Sequence, residues 1–338
     1  MRLLVIGGTV FLGRAFVAEA RSRGWHVTTF HRGRSGPDLP GVQVVNGDRE
    51  NAADLARLAT HGPWDAVVDV CGYAPAVVGA SVRALTRHAG AYLYVSSINA
   101  LAPWPAAPVD ESSPLLPCDP DAGPDDAGYA ELKAGCERVV ERDFTGRTLI
   151  LRPGVVIGPG DKMRRVTYWL RRASRGGRML AGGGPARTMQ LIDARDIAAF
   201  GLDRIELGGS GAYLTTGTPA NVTWGDFLGE CAALTGAGAE PVWAGDAFLA
   251  EQGIAPFVTI PLWAPPAEQL AAVWDFSSEK ALADGLRCRP VLESVRDTWD
   301  WLRAPGGMEE AFGTYRYPDQ TLDAEREARV LAAWDARN

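Results

Sequence analysis

The chain has 338 residues, 46% of them hydrophobic and 22% charged, with a formal net charge of −7. This composition supports one large or two moderate globular units, excludes extensive disorder, and argues against a nucleic-acid-binding surface, which usually carries a basic excess. Five cysteines without paired spacing indicate neither a disulfide framework nor a zinc site, so we expect a cytoplasmic protein that holds no metal.

The first half of the chain alternates short apolar runs with amphipathic stretches, which predicts a parallel sheet covered by helices. Predicted strands are residues 2–6, 26–30, 42–45, 66–70, 92–96 and 148–151, and predicted helices are residues 11–23, 52–59, 77–88 and 129–143. Residues 102–126, rich in Pro, Asp and Ala, are predicted to form a long loop, a feature that is usually functional in a compact domain. The fold class is therefore α/β, a Rossmann-type doubly wound parallel sheet.

After Pro153 the alternation breaks at Gly-rich turns. A strand-to-helix unit near residues 190–205, a strand at 213–216 and a helix at 223–234 follow. We predict an NADP-binding Rossmann domain formed by residues 1–155 plus about 188–217. Residues 156–187 and 218–338 would form a smaller, C-terminal substrate-binding domain.

A glycine-rich turn directly follows the first predicted strand and opens the first predicted helix. Its sequence is Gly7-Gly8-Thr9-Val10-Phe11-Leu12-Gly13. In this context Gly7 permits the tight turn, Gly13 lets helix and strand pack closely, and the amides between them face the pyrophosphate of a dinucleotide. Val10 stands where such turns have their middle glycine, so its Cβ is expected to push the pyrophosphate outward.

The end of the second strand favours NADP(H). Folds that prefer NAD carry an Asp or Glu there, whereas this chain has His31, Arg32 and Arg34. With no carboxylate to repel it, a 2′-phosphate would meet one or two guanidinium groups, although NAD(H) and a role as solvated surface charge are the alternatives. Asp48 and Arg49, just past the third strand, are expected to reach the adenine.

Tyr129 and Lys133 are four residues apart on a predicted helix, so they share one face. A free tyrosine titrates at about pH 10, and a neighbouring ammonium group lowers the pKa of the phenol by stabilising the phenolate. The pair therefore predicts a proton donor and its modulator. The alternative is a helix with a buried aromatic residue and a solvated lysine.

These motifs together resemble the short-chain dehydrogenase/reductase superfamily. The motifs are the glycine turn, Val95-Ser96-Ser97, Tyr129 with Lys133, and Leu151-Arg152-Pro153 with Gly158-Pro159. The resemblance is closest to the extended branch, the NAD-dependent epimerase/dehydratase family of nucleotide-sugar epimerases, dehydratases and reductases, and residues 192–197 and 274–280 fit it too. The glycine turn is also similar to an atypical subgroup that includes bacterial reductase-like proteins and chloroplast RNA-binding proteins.

The resemblance implies roles for individual residues. Tyr129 would be the acid/base, Lys133 its modulator and the anchor of the nicotinamide ribose, and Ser97 the hydroxyl that polarises the substrate oxygen, with Ser96 as the alternative donor. Further cofactor contacts would come from Cys71, Pro153 and Val155. Independently of the resemblance, candidate substrate-lining residues lie after Ser97 (Asn99 and Trp104), in residues 161–169 and around residues 187–190, including Gln190. Relatives of this branch also imply a homodimer built from the helices at 77–88 and 129–143.

The sequence thus predicts an NADP(H)-dependent oxidoreductase that acts on a carbonyl or alcohol of a small, sugar-like metabolite. The first alternative is an epimerase that uses the same oxidation transiently. The second, of another class, is a non-catalytic RNA-binding or cofactor-sensing scaffold. Ile98 and Asn99 stand where 4,6-dehydratases of the family carry an Asp-Glu pair, so we do not expect that reaction, and we expect no membrane helix.

Overall fold

Parallel strands form the core of the computed structural model, which describes residues 1–308 and 322–337. The strands are β1 (Arg2–Ile6), β2 (His26–His31), β3 (Gln43–Asn46), β4 (Trp64–Asp69), β5 (Ala89–Val95), β6 (Arg147–Pro153), β7 (Val155–Ile157), β8 (Gly177–Gly182), β9 (Thr188–Met189), β10 (Leu191–Asp193), β11 (Gly211–Thr215), β12 (Val222–Thr223) and β13 (Ala239–Ala244). The helices are α1 (Phe11–Ser22), α2 (Ala52–Ala59), α3 (Pro75–Leu85), α4 (Tyr129–Asp143), α5 (Arg165–Ala173), α6 (Ala194–Glu206), α7 (Trp224–Thr235), α8 (Asp246–Glu251), α9 (Glu279–Ala283), α10 (Val291–Arg303) and α11 (Ala324–Asp335).

The central sheet has seven strands in the order β11-β6-β5-β4-β1-β2-β3, and each neighbouring pair is parallel. The order reverses between β1 and β4, which opens a crevice at the carboxyl ends of these two strands. The predicted Rossmann-type doubly wound sheet is confirmed. The remaining strands pair as β7 with β10, β9 with β12 and β8 with β13.

Both faces of the sheet are covered because successive residues of each strand point to opposite sides. Leu3 and Val5 of β1 belong to the hydrophobic cluster under α1 and α6. Leu4 and Ile6 belong to the cluster under α2, α3 and α4. All four side chains are at most 1% exposed. The two-sided burial explains why these strands read as continuous apolar runs.

A second core lies in the later part of the chain. It contains side chains of α5, α7, α10 and α11, among them Trp169, Phe227 and Val330. Glu327 of α11 is buried there, bonded to Arg172 and accepting a hydrogen bond from an amide of β8. The final helix therefore completes this core.

The long loop predicted at residues 102–126 folds back over α4. Leu101 and Leu115 form an antiparallel bridge, and Arg138 Nη2 donates to the carbonyl of Leu116 at 2.8 Å. A Cβ on Gly135 would lie 2.8 Å from Cys118 Sγ, so this part of the loop packs directly on the helix. Residues 115–122 are called the covering segment below.

The predicted division into two domains stays a prediction, and part of its second half, residues 309–321 and 338, lies outside the described residues. One stretch assigned to the smaller domain packs elsewhere. Ala281 and Leu286 are buried in the cluster under α1 and α6, and Lys280 Nζ donates to the carbonyl of Ala212 in β11 at 2.6 Å. In the described parts of the chain, no helix has the length and apolar character needed to cross a membrane.

Candidate active site

The glycine turn after β1 lies at the crevice and opens α1. Gly7 and Gly8 have φ angles of +104° and +101°, which glycine adopts without strain. A Cβ on Gly13 would lie 2.9 Å from the Gly8 amide nitrogen, so helix and turn are in close contact. Val10 precedes α1 without a side-chain cap, and the first turn of the helix holds no acid. The free N–H groups at this end therefore fit a phosphate group.

The side chains of this turn face neighbouring elements. Thr9 is buried, and a Cβ on Gly36 would lie 3.6 Å from Val10 Cγ1. Phe11 has a φ of +40°, and both Phe11 and Leu12 pack against the cluster under α1. The Val10 side chain thus contacts the loop after β2, and its effect on the pyrophosphate stays a prediction.

The carboxylate of Asp38, in the loop after β2, lies against the end of that strand, and it was not predicted from the sequence. The Gly33 amide donates to His31 Nδ1 at 3.0 Å, which leaves Nε2 of His31 to donate to Asp38 Oδ1 at 2.9 Å. Thr29 Oγ1 donates to the same oxygen at 2.9 Å. The expectation that no carboxylate stands near the 2′-phosphate position was wrong, because the loop after β2 folds back onto the strand.

Two exposed arginines remain beside this carboxylate. Arg32 Nη1 lies 3.9 Å from Asp48 Oδ2, and both of these side chains are largely open to solvent. Arg34 is exposed. The region therefore offers cations to a phosphate, but it is not purely basic.

Arg49 corrects another prediction. Its guanidinium donates to the carboxylate of Asp69 at 2.8 and 2.7 Å and to Ser81 Oγ at 3.0 Å, and its side chain is 10% exposed. Tyr92 also donates to Asp69, at 2.8 Å. Burial opposes ionisation of Asp69, but Arg49 lowers its pKa overall. The guanidinium is held inside the sheet edge by this pair, so it does not reach outward to an adenine.

Three predicted cofactor contacts lie at the carboxyl ends of strands. Cys71 follows β4, where its Sγ lies 3.5 Å from the position of a Cβ on Gly7. Burial raises the pKa of this thiol, which keeps it protonated at neutral pH. Pro153 ends β6 and Val155 begins β7. Their contacts with a cofactor stay predictions.

Lys133 lies on the cleft floor. It is 2% exposed, and its Nζ donates to the carbonyls of Gly72 and Val95, each at 2.8 Å. The same atom lies 4.9 Å from the ring centroid of Tyr73 and 4.8 Å from that of Tyr94, which adds cation–π contacts. Burial lowers the pKa of Lys133 to about 8. Its ammonium group is therefore fixed in place and close to titration.

Tyr129 is the first residue of α4, and its side chain is 48% exposed. Its ring centroid lies 6.5 Å from that of Tyr73. Burial raises the pKa of Tyr129, while a hydrogen bond with Ser97 and the charge of Arg165 oppose the rise. Lys133 is not among the groups that shift this pKa, and the expectation that its ammonium lowers the pKa of Tyr129 stays a prediction.

The two serines after β5 have different partners. Ser97 Oγ accepts a hydrogen bond from the Asn99 amide at 3.2 Å and faces Tyr129. Ser96 Oγ donates to the buried carboxylate of Glu137 at 2.5 Å, and Arg152 Nη2 donates to the same carboxylate at 2.8 Å. The Ser96 hydroxyl is therefore committed inside the protein, which leaves Ser97 as the candidate donor.

The three candidate substrate residues lie in different surroundings. Asn99 is half-buried in the short 3-10 helix after β5. Trp104 packs against a small cluster that contains Phe276, and its buried Nε1 has no hydrogen-bond partner among the described residues. Gln190 is 1% exposed, and its Nε2 donates to the carbonyls of Gly217 and Phe276 at 2.6 and 3.0 Å. Gln190 joins two loops from inside, while its Oε1 has no hydrogen-bond partner among the described residues, and its contact with substrate stays a prediction.

Four residues near the site were not singled out from the sequence. Glu137 had a signal, since it lies four residues after Lys133 and thus on the same face of α4. Tyr73 had a weaker one, its place just past β4. Asp38 reaches the site from a loop whose return to the sheet has no local signature. Arg165 is the first residue of α5 and falls within the candidate range 161–169. In the described ranges, 1–308 and 322–337, no three His, Cys, Asp or Glu side chains are grouped to hold a metal ion.

Comparisons with known proteins agree with this geometry. Residues 3–84 match the model of the NAD dependent epimerase/dehydratase family. Among solved structures, the UDP-glucose 4-epimerase of Thermotoga maritima, crystallised with UDP-glucose, is 17% identical with a TM-score of 0.66 and covers 90% of this chain and 99% of its own. The Thermus thermophilus UDP-glucose 4-epimerase, in complex with NAD, is 18% identical with a TM-score of 0.64 and the same coverage.

The UDP-N-acetylglucosamine 4-epimerase of Bacillus cereus is also similar, at 16% identity and a TM-score of 0.66, covering 90% of this chain and 97% of its own. No curated protein matches the sequence significantly. At these identities the solved structures establish the fold. The motifs predicted this family, and residues 3–84 match its model, while the solved structures share the fold along 90% of the chain.

Proposed function

We propose that this chain is an NADP(H)-dependent oxidoreductase of the extended short-chain type, which transfers a hydride to or from a carbonyl or alcohol of a small metabolite. The observation that supports the proposal is that Ser97 faces Tyr129 at the start of α4, while Lys133 of the same helix bonds the Val95 carbonyl at the end of β5. The uncapped start of α1 opens onto the same sheet edge and supports a bound dinucleotide. The nicotinamide would supply the hydride chemistry.

In this proposal each residue has one task. Ser97 donates a hydrogen bond to the substrate oxygen, which stabilises the negative charge that develops there. Tyr129 gives its proton to that oxygen in reduction and takes it back in oxidation. Lys133 would hold the nicotinamide ribose, and its positive charge would oppose the burial that raises the pKa of Tyr129.

An epimerase is the second candidate, favoured by the fold shared with 4-epimerases. Such an enzyme returns the hydride to the same substrate and keeps its cofactor. A buffer-exchanged sample is therefore scanned for nicotinamide absorbance: tightly retained cofactor favours the epimerase, and readily exchanged cofactor favours the reductase. A shift of the protein by RNA at physiological salt would instead support the scaffold alternative.

Substituting Tyr129→Phe tests the catalytic assignment. We expect at least about a hundredfold loss of turnover, the lower end of what a general acid contributes, with little change in the dissociation constant of NADPH. Lys133→Ala is the matched variant, and it should weaken both turnover and cofactor binding because it also removes a ribose contact. A Tyr129→Phe enzyme that kept more than about a tenth of the wild-type rate would make Tyr129 structural.

A further inference from the structure

A cavity of about 570 Å³ lies in the later part of the chain, between β9, the start of α7 and residues 262–275. Its described lining is mostly apolar, with Met189, Trp224, Leu262, Trp263, Pro265 and Trp274 among its walls. Trp224 Nε1 donates to the Gly182 carbonyl at 3.1 Å, and Trp263 Nε1 donates to Asp246 Oδ1 at 3.0 Å. Both indole N–H groups are thus used inside the protein, and Trp224 and Trp263 are each 2% exposed. Among the tryptophans of the described lining, the half-buried Trp274 therefore supplies the ring surface that is open to a ligand.

Arg187 supplies the positive charge among the described lining residues, and that charge is neutralised. Its Nη1 donates to Asp246 Oδ1 at 2.8 Å, and its Nη2 bonds the other carboxylate oxygen. Nη1 also lies 3.4 Å from the Ala264 carbonyl oxygen. When both oxygens of one carboxylate bind a planar guanidinium, they use the pair of parallel N–H donors that would otherwise bind a phosphate. It is therefore poorly placed to bind a second anion.

An adjoining cavity is acidic. It has a volume of about 340 Å³ and shares Pro219 and Asp275 with the first, and its described lining also contains Asp110 and Glu279 but neither Lys nor Arg. Clefts lined by charges of one sign concentrate ligands of the opposite sign and repel those of the same sign. A diphosphate in the first cavity would therefore lie beside an arginine that is already paired and close to these carboxylates.

We infer that the cavity binds a ring-bearing group without negative charge, and that it disfavours the diphosphate-linked nucleotides that some proteins of this fold bind. The inference rests on the proposed function, since the ring would belong to the carbonyl or alcohol that Tyr129 protonates. Tryptophan faces bind apolar rings by stacking, and they also attract amines through cation–π contacts. Ligands bound by stacking and ligands bound by cation–π contacts have in common that they carry no negative charge.

The first test is a calorimetric titration of the full chain, loaded with NADP⁺, with three probes: 2-tetralone, the amine 2-aminotetralin, and UDP-glucose. We expect one or both bicyclic probes to bind at least ten times more tightly than UDP-glucose. Tighter binding of UDP-glucose, or no binding of either bicyclic probe up to its solubility, would overturn the inference. NADPH binding is measured separately, so a chain that binds NADPH and fails this test would lose the inference while keeping the proposed function.

Asp246→Asn provides a sharper test, because it frees the charge of Arg187 and retains an oxygen that accepts from Trp263. A hydrogen bond to a charged group corresponds to roughly a ten- to hundredfold change in affinity. We expect the affinity for UDP-glucose to rise by about tenfold, the lower end of that range, while 2-tetralone binding stays nearly constant. The control, Asp300→Asn on the exposed side of α10, makes the same change in net charge and should leave both affinities unchanged. Equal responses of the two variants would contradict the role of the Arg187–Asp246 pair.

The tryptophan walls are tested with Trp274→Ala, which removes a half-buried indole from the cavity. Because an aromatic contact stabilises a bound ring, removal of this indole should weaken binding of the bicyclic probe by roughly threefold to tenfold. Trp301→Ala is the matched control, since this half-buried indole packs on the same core away from the cavity. An unchanged affinity in the Trp274→Ala variant, with thermal melting confirming that it is folded, would overturn the placement of the ring.

Discussion

Lys133 is the residue whose surroundings most directly set the chemistry of the cleft. Its ammonium is removed from water yet held by two carbonyls and two aromatic rings. Burial lowers its pKa from 10.5 to about 8. The folded chain therefore binds this proton less tightly than the unfolded chain, so the contribution of Lys133 to stability rises as pH increases from about 8 to 10.5.

Cofactor binding should show the opposite trend. If the ammonium anchors the ribose, NADPH affinity is constant below the pKa of Lys133 and falls once pH exceeds about 8. Fluorescence titration of NADPH between neutral pH and about pH 9.5 measures this, and full dependence on the proton weakens binding by about tenfold per pH unit. Lys133→Met should give a flat profile. A wild-type profile that is equally flat would remove the anchoring role.

Asp38 is expected to limit any preference for NADPH. Under the proposed function Arg32 and Arg34 would attract a 2′-phosphate, whereas the Asp38 carboxylate beside His31 would repel it, so we expect only a modest preference for NADPH over NADH. Replacing Asp38 by Asn should increase that preference by about two- to fivefold, the range for an exposed charge interaction. The two dissociation constants are compared at moderate salt, with Asp125→Asn in the long loop before α4 as the control. No change in their ratio would place Asp38 outside the reach of the phosphate.

At the scale of single elements, α4 places three functional groups on one face, because Tyr129, Lys133 and Glu137 follow at intervals of four residues. Two of these were predicted from the sequence as a pair. The third is tied to Arg152 at the end of β6 and to Ser96 at the end of β5. The helix is thus fixed to the two strands whose ends border the cleft.

Removing Glu137 should destabilise the chain severely. Glu137→Leu leaves the guanidinium of Arg152 buried without its partner, and breaking such a pair costs about 3–5 kcal/mol. The double variant Glu137→Leu with Arg152→Met removes both charges and should recover much of that loss. Urea denaturation followed by tryptophan fluorescence gives the free energies of unfolding. A single variant as stable as the double one would mean that the pair contributes no net coupling.

Element bounds could be predicted from the sequence where apolar periodicity continued to the end of an element. The helix at 129–143 and the strand at 2–6 match the structure residue for residue. The loops could not be predicted in this way, because their positions depend on contacts distant in sequence. Asp38 returns to Thr29 and His31, and the covering segment returns to α4, without any local pattern that announces either contact.

At the scale of the whole molecule, the doubly wound sheet could be predicted because strands and helices alternate along the chain. The assembly state could not be derived in this way, because it depends on contacts between chains. The two helices of the expected homodimer, α3 and α4, have buried residues on more than one face. The structure accounts for some of that burial within one chain, since Ala76 donates to the carbonyl of Ala122 and the covering segment lies on Gly135. The dimer remains a prediction.

Light scattering over a wide concentration range tests the dimer directly. A dimer through α3 and α4 would use the surface left open beside the covering segment, so Arg83→Glu, at an exposed position on α3, should weaken it. Arg303→Glu on α10 serves as the control for the change in charge. A monomeric mass at every concentration would exclude the dimer.

The buried contact of Glu327 has a consequence for synthesis of the chain. Glu327 accepts a hydrogen bond from the Leu180 amide and pairs with Arg172. These partners in β8 and α5 are synthesised about 150 residues before Glu327. The Rossmann sheet, closed by β11, can fold while translation continues, because domains generally fold as units in order of emergence. The tryptophan-rich core keeps apolar surface exposed to solvent until α11 has been synthesised and has packed on it. Nascent chains stalled before residue 322 should therefore be the species that chaperones recognise.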